Sequence, residues 1–117
     1  MNDIFVYNAL VTRVTEKYKK YFTVNKHYRM KYIISSEAEY IFSDKKEWMS
    51  SNINDAVYYN VEYIPIKKFF KAKNSAILEK IIKYSDNTNL RFIPSYDNKY
   101  FFYDQKIYEI KKYLIPV

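Results

Sequence analysis

The chain has 117 residues, enough for one domain with one sizeable core, and its 49% hydrophobic and 28% charged content is that of a globular protein. It contains no glycine and no cysteine, which excludes Gly-rich phosphate loops, the dinucleotide fingerprint, the strained nucleophile elbow, disulfides, thiolate zinc sites and Cys nucleophiles. A net charge of +7 and a pI near 9.4 fit a partner that carries phosphates.

From the N-terminus, "MNDIFVYNALVTRVTEKYKKYF" places Asn2 or Asp3 where an N-cap belongs. Val6, Leu10, Val14, Tyr18 and Tyr21 follow at spacings of three and four, with Phe5 and Ala9 beside them, which predicts a helix. The β-branched Val11, Thr12, Val14 and Thr15 work against it. "HYRMKYII" alternates Tyr28, Met30 and Tyr32 with His27, Arg29 and Lys31, the pattern of a half-buried strand. "SSEAEYIFSDKKEW" offers Ser36 and Glu39 as a capping box opening a short helix. Asn52 to Asp55 reads as a turn, and "AVYYNVEYIPI" as a strand with Val57, Tyr59, Val61 and Tyr63 on one side, ending near Pro65.

"NSAILEKIIKY" is the clearest helix, capped by Asn74 or Ser75 and burying Ile77, Leu78, Ile81 and Ile82. "LRFIPS" is a short strand stopped at Pro94, and "KYFFYDQKIYEI" a hairpin turning at Asp104-Gln105. The expected fold is a single α+β domain over residues 1–117, with two or three helices and an antiparallel sheet of four or five strands.

Function rests on the stretch from Lys17 to Tyr32, which carries six Lys and Arg, no acid, and five interleaved aromatics. Cations for phosphates and flat rings for bases are what nucleic-acid binding needs. The candidate cations are Lys17, Lys19, Lys20, Lys26, Arg29 and Lys31, extended by Lys67, Lys68, Lys71 and Lys73. Tyr21, Tyr28 and Tyr32 are the stacking candidates. The plain reading of the same residues is a solvated lysine face with tyrosines at the core edge.

A second functional class, a module that inhibits or recruits a host protein, suits a chain with 15 tyrosines, since Tyr gives large contact area at low entropic cost. A homodimer fits either class. Catalysis ranks third. Asp97, Asp104 and Lys106 resemble a short metal-nuclease signature, but the spacing is compressed and the motif falls at a turn. His27, the single histidine, reads as a surface strand residue, and Trp48 as a core or interface anchor. The acids Glu37, Glu39, Asp44 and Glu47 match no ion-loop spacing, and no cofactor or metal is expected.

No long apolar run is present and the N-terminus lacks a basic segment, so the expectation is a soluble, cytoplasmic protein without a membrane span. Phe, Tyr, Met, Ile, Asn and Lys, all with AT-rich codons, make up 67 of the 117 residues, a skew common in small proteins of viruses and mobile elements.

Overall fold

The computed structural model describes residues 3–50, 56–63, 70–73, 92–103 and 105–117. The chain divides into two compact units, Met1–Glu62 and Tyr63–Val117.

The first unit is one antiparallel sheet of five strands in the order β4-β3-β2-β1-β5. These are β1 Ile4–Val14, β2 His27–Ile33, β3 Ala38–Phe42, β4 Trp48–Ser50 and β5 Val57–Val61. The fold is therefore mostly β, not the α+β arrangement expected from periodicity; strand takes up 58% of the described residues. Helical structure among them is limited to a 3-10 turn at Glu16–Tyr18 and one turn, α1, at Ile110–Tyr113. No helix among them is long and apolar enough to cross a membrane.

The predicted N-terminal helix is the central strand β1, which pairs with β2 from Ile4↔Ile33 to Leu10↔His27 and with β5 from Ala9↔Val61 to Val14↔Val57. Its β-branched residues fit a pleated surface better than a helix. Phe5, Tyr7, Ala9 and Val11 point inward at period two, and the extra residue Thr12, a bulge against β5, turns Val14 inward as well. The capping-box segment is likewise a strand. Ser36 and Glu37 belong to the β2–β3 turn, and Glu39 lies in β3 opposite Tyr32.

The inner face joins Phe5, Tyr7, Ala9, Val11, Met30, Ile41 and Val57, all buried, and each large side chain removed from water contributes about 1.5–3 kcal/mol. One carboxylate is set among them. Glu39 accepts hydrogen bonds from the Tyr7 hydroxyl on β1 and from the Tyr59 hydroxyl on β5, the latter at 2.8 Å. In a flat sheet β3 and β5 would stand about 14 Å apart, so side chains meeting across that span mean a sheet curled around this face. Burial first, then the carboxylate, pushes both phenols far above their usual titration range, so both remain donors.

The outward positions of β1 to β4 carry Ile4, Val6, Asn8, Leu10, His27, Arg29, Lys31, Ile33, Ala38, Tyr40, Phe42, Trp48 and Ser50, with no acid. One rung runs Val6, Lys31, Tyr40, Ser50 across four strands.

The second unit contains β6 Phe70–Ala72, β7 Ile93–Pro94, β8 Tyr100–Tyr103, β9 Lys106–Glu109, α1 and β10 Leu114–Pro116. β10 pairs with β6, and β7, β8 and β9 form a three-stranded antiparallel sheet. The expected hairpin is present, with Tyr103 opposite Lys106 and Phe101 opposite Tyr108. Phe101 is fully buried in a cluster with Phe92 and Leu114, against which Phe70, Tyr103, Tyr108 and Tyr113 pack. The four-aromatic run thus supplies core on its Phe101 and Tyr103 side. The expected helix at residues 74–84, the turn at 52–55 and Asp104 lie outside the described residues.

Without glycine, the turns place other residues in the left-handed region: Asn25, Glu37, Lys46, Asn98 and Gln105 have φ between 55° and 64°. That conformation costs roughly 1–2 kcal/mol for most L-residues and less for Asn. Glu37→Gly is expected to stabilise the protein by about 0.5–1 kcal/mol, measured by urea denaturation; an unchanged or lower midpoint would contradict the strain. Tyr7→Phe is expected to cost about 1–3 kcal/mol, because Glu39 loses one of its two phenol donors inside the curled sheet. A smaller loss would mean the carboxylate finds water in its place.

Candidate nucleic-acid interface

The alternation of β2 divides the residues expected to bind. His27, Arg29 and Lys31 point outward, while Tyr28, Met30 and Tyr32 point inward, opposite Ala9, Tyr7 and Phe5. Tyr28 is only 6% exposed. Its ring stands edge-on to Phe22 with centroids 5.2 Å apart, and its hydroxyl donates to Asp44 at 2.8 Å and accepts from the Thr23 N–H at 2.6 Å. The ring of Tyr28 is therefore core and offers no stacking face. Tyr32 is half-buried on the same side, and of the three stacking candidates Tyr21 alone stands off the sheet, in the β1–β2 connection.

The cations separate by what they rest against. Lys19 is paired with Glu16 at 2.7 Å, and Lys26 with Asp44 at 2.5 Å. Lys17 lies 5.7 Å from the Tyr18 ring centroid, and Lys20 5.3 Å from that of Tyr21. Lys45, which the sequence did not single out, approaches Tyr21 at 5.7 Å. Lys31 lies 4.4 Å from the centroid of Trp48 and 5.3 Å from that of Tyr40. Contacts of this kind at exposed sites contribute about 0.5–1 kcal/mol and leave the charge unneutralised. Arg29 is exposed on the same outward face.

Asp44 holds this end of the sheet together. Besides Lys26 and Tyr28 it accepts from Thr23 Oγ1 at 3.1 Å, and its N–H donates to the Tyr21 carbonyl at 2.8 Å, tying the β3–β4 turn to the β1–β2 connection. Partial burial alone would raise its carboxyl, but the hydrogen bonds from Lys26, Tyr28 and Thr23 outweigh burial and hold it below the usual carboxylate value. The same hydrogen bond raises Lys26.

Lys71 and Lys73 are exposed in the second unit, Lys71 on β6 opposite Ile115. Lys67 and Lys68 lie outside the described residues. His27 finds the partner its sequence neighbourhood lacked: its Nδ1 is 2.8 Å from Glu62 Oε1, just past β5. The nuclease-like pattern takes a plain turn geometry at Asp97, which accepts from Ser95 Oγ at 2.6 Å and from the Lys99 N–H at 3.2 Å. These bonds, Ser95 first, hold its carboxyl below the usual value. Among the described residues no three His, Asp or Glu side chains are grouped to hold a metal ion.

The residues the sequence reading missed are Tyr40 and Phe42 on the outward face, where Trp48, expected as a core or interface anchor, also stands, and Arg13 with Tyr58 beyond the bulge, the guanidinium 5.6 Å from the ring. Tyr40 and Phe42 alternate with Glu39 and Ile41, the available signal, but the capping box outweighed it. Trp48 is 38% exposed, tilted against Phe42 at 5.0 Å.

The Asp44 geometry sets a pH dependence. A carboxyl lowered on folding contributes stability above its unfolded value of about 4, and that contribution is lost as pH falls through the lower folded value. Asp44→Asn should lower the urea midpoint at neutral pH, and its deficit against the parent should close between about pH 5 and pH 2; a deficit independent of pH would show that the charge is not what matters. No protein-family model matches the chain, and comparison with curated proteins and with solved structures finds no match.

Proposed function

We propose that this is a binding protein whose partner is nucleic acid, held mainly through the phosphate backbone. The observation that carries the reading is the sorting of its cations. Lys17, Lys20, Lys31 and Lys45 rest on aromatic rings, which leave the charge unneutralised, and Arg29 and Lys31 stand on the outward face of β2. A lysine already held by a carboxylate, such as Lys19 or Lys26, has less to offer a phosphate. A lysine on a ring gives up only a weak contact to reach one. With a virus- or mobile-element composition, the setting is the cytoplasm, the host's if the gene is viral.

The test is fluorescence anisotropy with labelled single- and double-stranded DNA and RNA at about 50 and about 300 mM salt. Five cations engaging phosphates give a slope of log affinity against log salt of about −3.5 to −4.5. Lys20→Glu with Lys31→Glu should weaken binding for every sequence and reduce the slope by about 1–2, and Lys19→Glu should do much less. Absence of binding to all four at low salt overturns the proposal. The second reading, a host-protein interaction module, draws on the exposed Tyr58 of the first unit and forecasts a complex that tolerates salt.

A further inference from the structure

We infer that the nucleic acid taken by the outward face is a single strand, with a base stacked on Trp48 and the adjoining phosphate on Lys31. This rests on the preceding reading and narrows it. Trp48 is the one tryptophan of the chain. It stands in β4, the three-residue edge strand of the sheet, and stays 38% exposed although Phe42 packs against it. A large ring at a sheet margin, with a lysine ammonium held over it only by a weak contact, becomes a stacking platform once that ammonium moves to a phosphate.

The cation is Lys31, whose ammonium lies 4.4 Å from the Trp48 centroid and 5.3 Å from that of Tyr40. Tyr40 faces exposed Ser50, a small neighbour that leaves room beside its ring. Arg29 is two residues from Lys31 on the same strand, about 6.7 Å along the same face. Rings and cations therefore alternate over a short distance, as an extended chain of bases and phosphates does. The bases of a duplex are stacked on one another inside the helix and show only their edges, so a ring on a sheet face gains nothing from them. Unpaired bases can turn out and cover it.

Because Trp48 is the sole tryptophan, its fluorescence reports the site directly. The full chain is titrated with an oligothymidylate of about 12 nucleotides and with the duplex of the same length, at about 50 mM salt. The expected result is quenching by the single strand and an affinity at least about tenfold above that for the duplex. In anisotropy with the same labelled strand, Trp48→Ala should weaken binding about tenfold or more, and Trp48→Phe, which keeps a ring, should retain most of it. The Phe variant separates loss of stacking from loss of fold. Equal binding of both forms without quenching, or an unaffected Trp48→Ala, overturns the single-strand site and leaves backbone binding standing. Binding of neither form overturns the single-strand site, and absence of binding to single- and double-stranded RNA as well overturns backbone binding with it.

Discussion

The first unit is organised by β1, an eleven-residue strand hydrogen-bonded along both edges, to β2 on one side and β5 on the other. Because strand side chains alternate strictly, its register assigns every neighbouring residue to the inner or the outward face, and a slip of one position would exchange the two. The bulge at Thr12 is part of that assignment. It lets Val11 and Val14, three apart in sequence, both point inward, and the sheet can curl until side chains from β3 and β5 meet at Glu39.

Without glycine, the five left-handed turn positions among the described residues fall to Asn, Glu, Lys and Gln. The turns are held by other means. A buried serine stands at the base of two of them, Ser43 and Ser95, its hydroxyl accepting from N–H groups further along the turn. Asp44 and Asp97 add carboxylates to the same turns. Backbone strain is thereby offset by side-chain hydrogen bonds that water would otherwise satisfy.

The same alternation that builds the core decides what the basic residues can do. It sends the Tyr28 ring inward and Arg29 and Lys31 outward, so the aromatics that meet the half-buried Lys31 come from other strands, Tyr40 from β3 and Trp48 from β4. Ion pairing then silences some lysines and leaves others on rings. The resulting basic-aromatic face is assembled across strands and follows no single stretch of sequence.

Much was legible in the sequence by itself. Composition removed whole classes of chemistry, since a chain without Gly or Cys cannot build the loops or thiolate sites they require. Period-two patterns identified β2 and the start of β5, because one face of each is largely apolar and the other is not, and the β8–β9 hairpin was legible as two aromatic runs flanking Asp104-Gln105. β1 was misread because apolar residues occupy both its faces and the bulge adds an odd step, so Val6, Leu10 and Val14 imitate helical spacing. β3 was misread because a capping box is a local signal, and pairing with β2 and β4 overrode it. Which rings stand beside Lys31 and where Glu39 finds its donors depend on residues 9 to 32 positions apart meeting through strand pairing. Only the tertiary structure could decide that, because local spacing carries no record of which strands become neighbours.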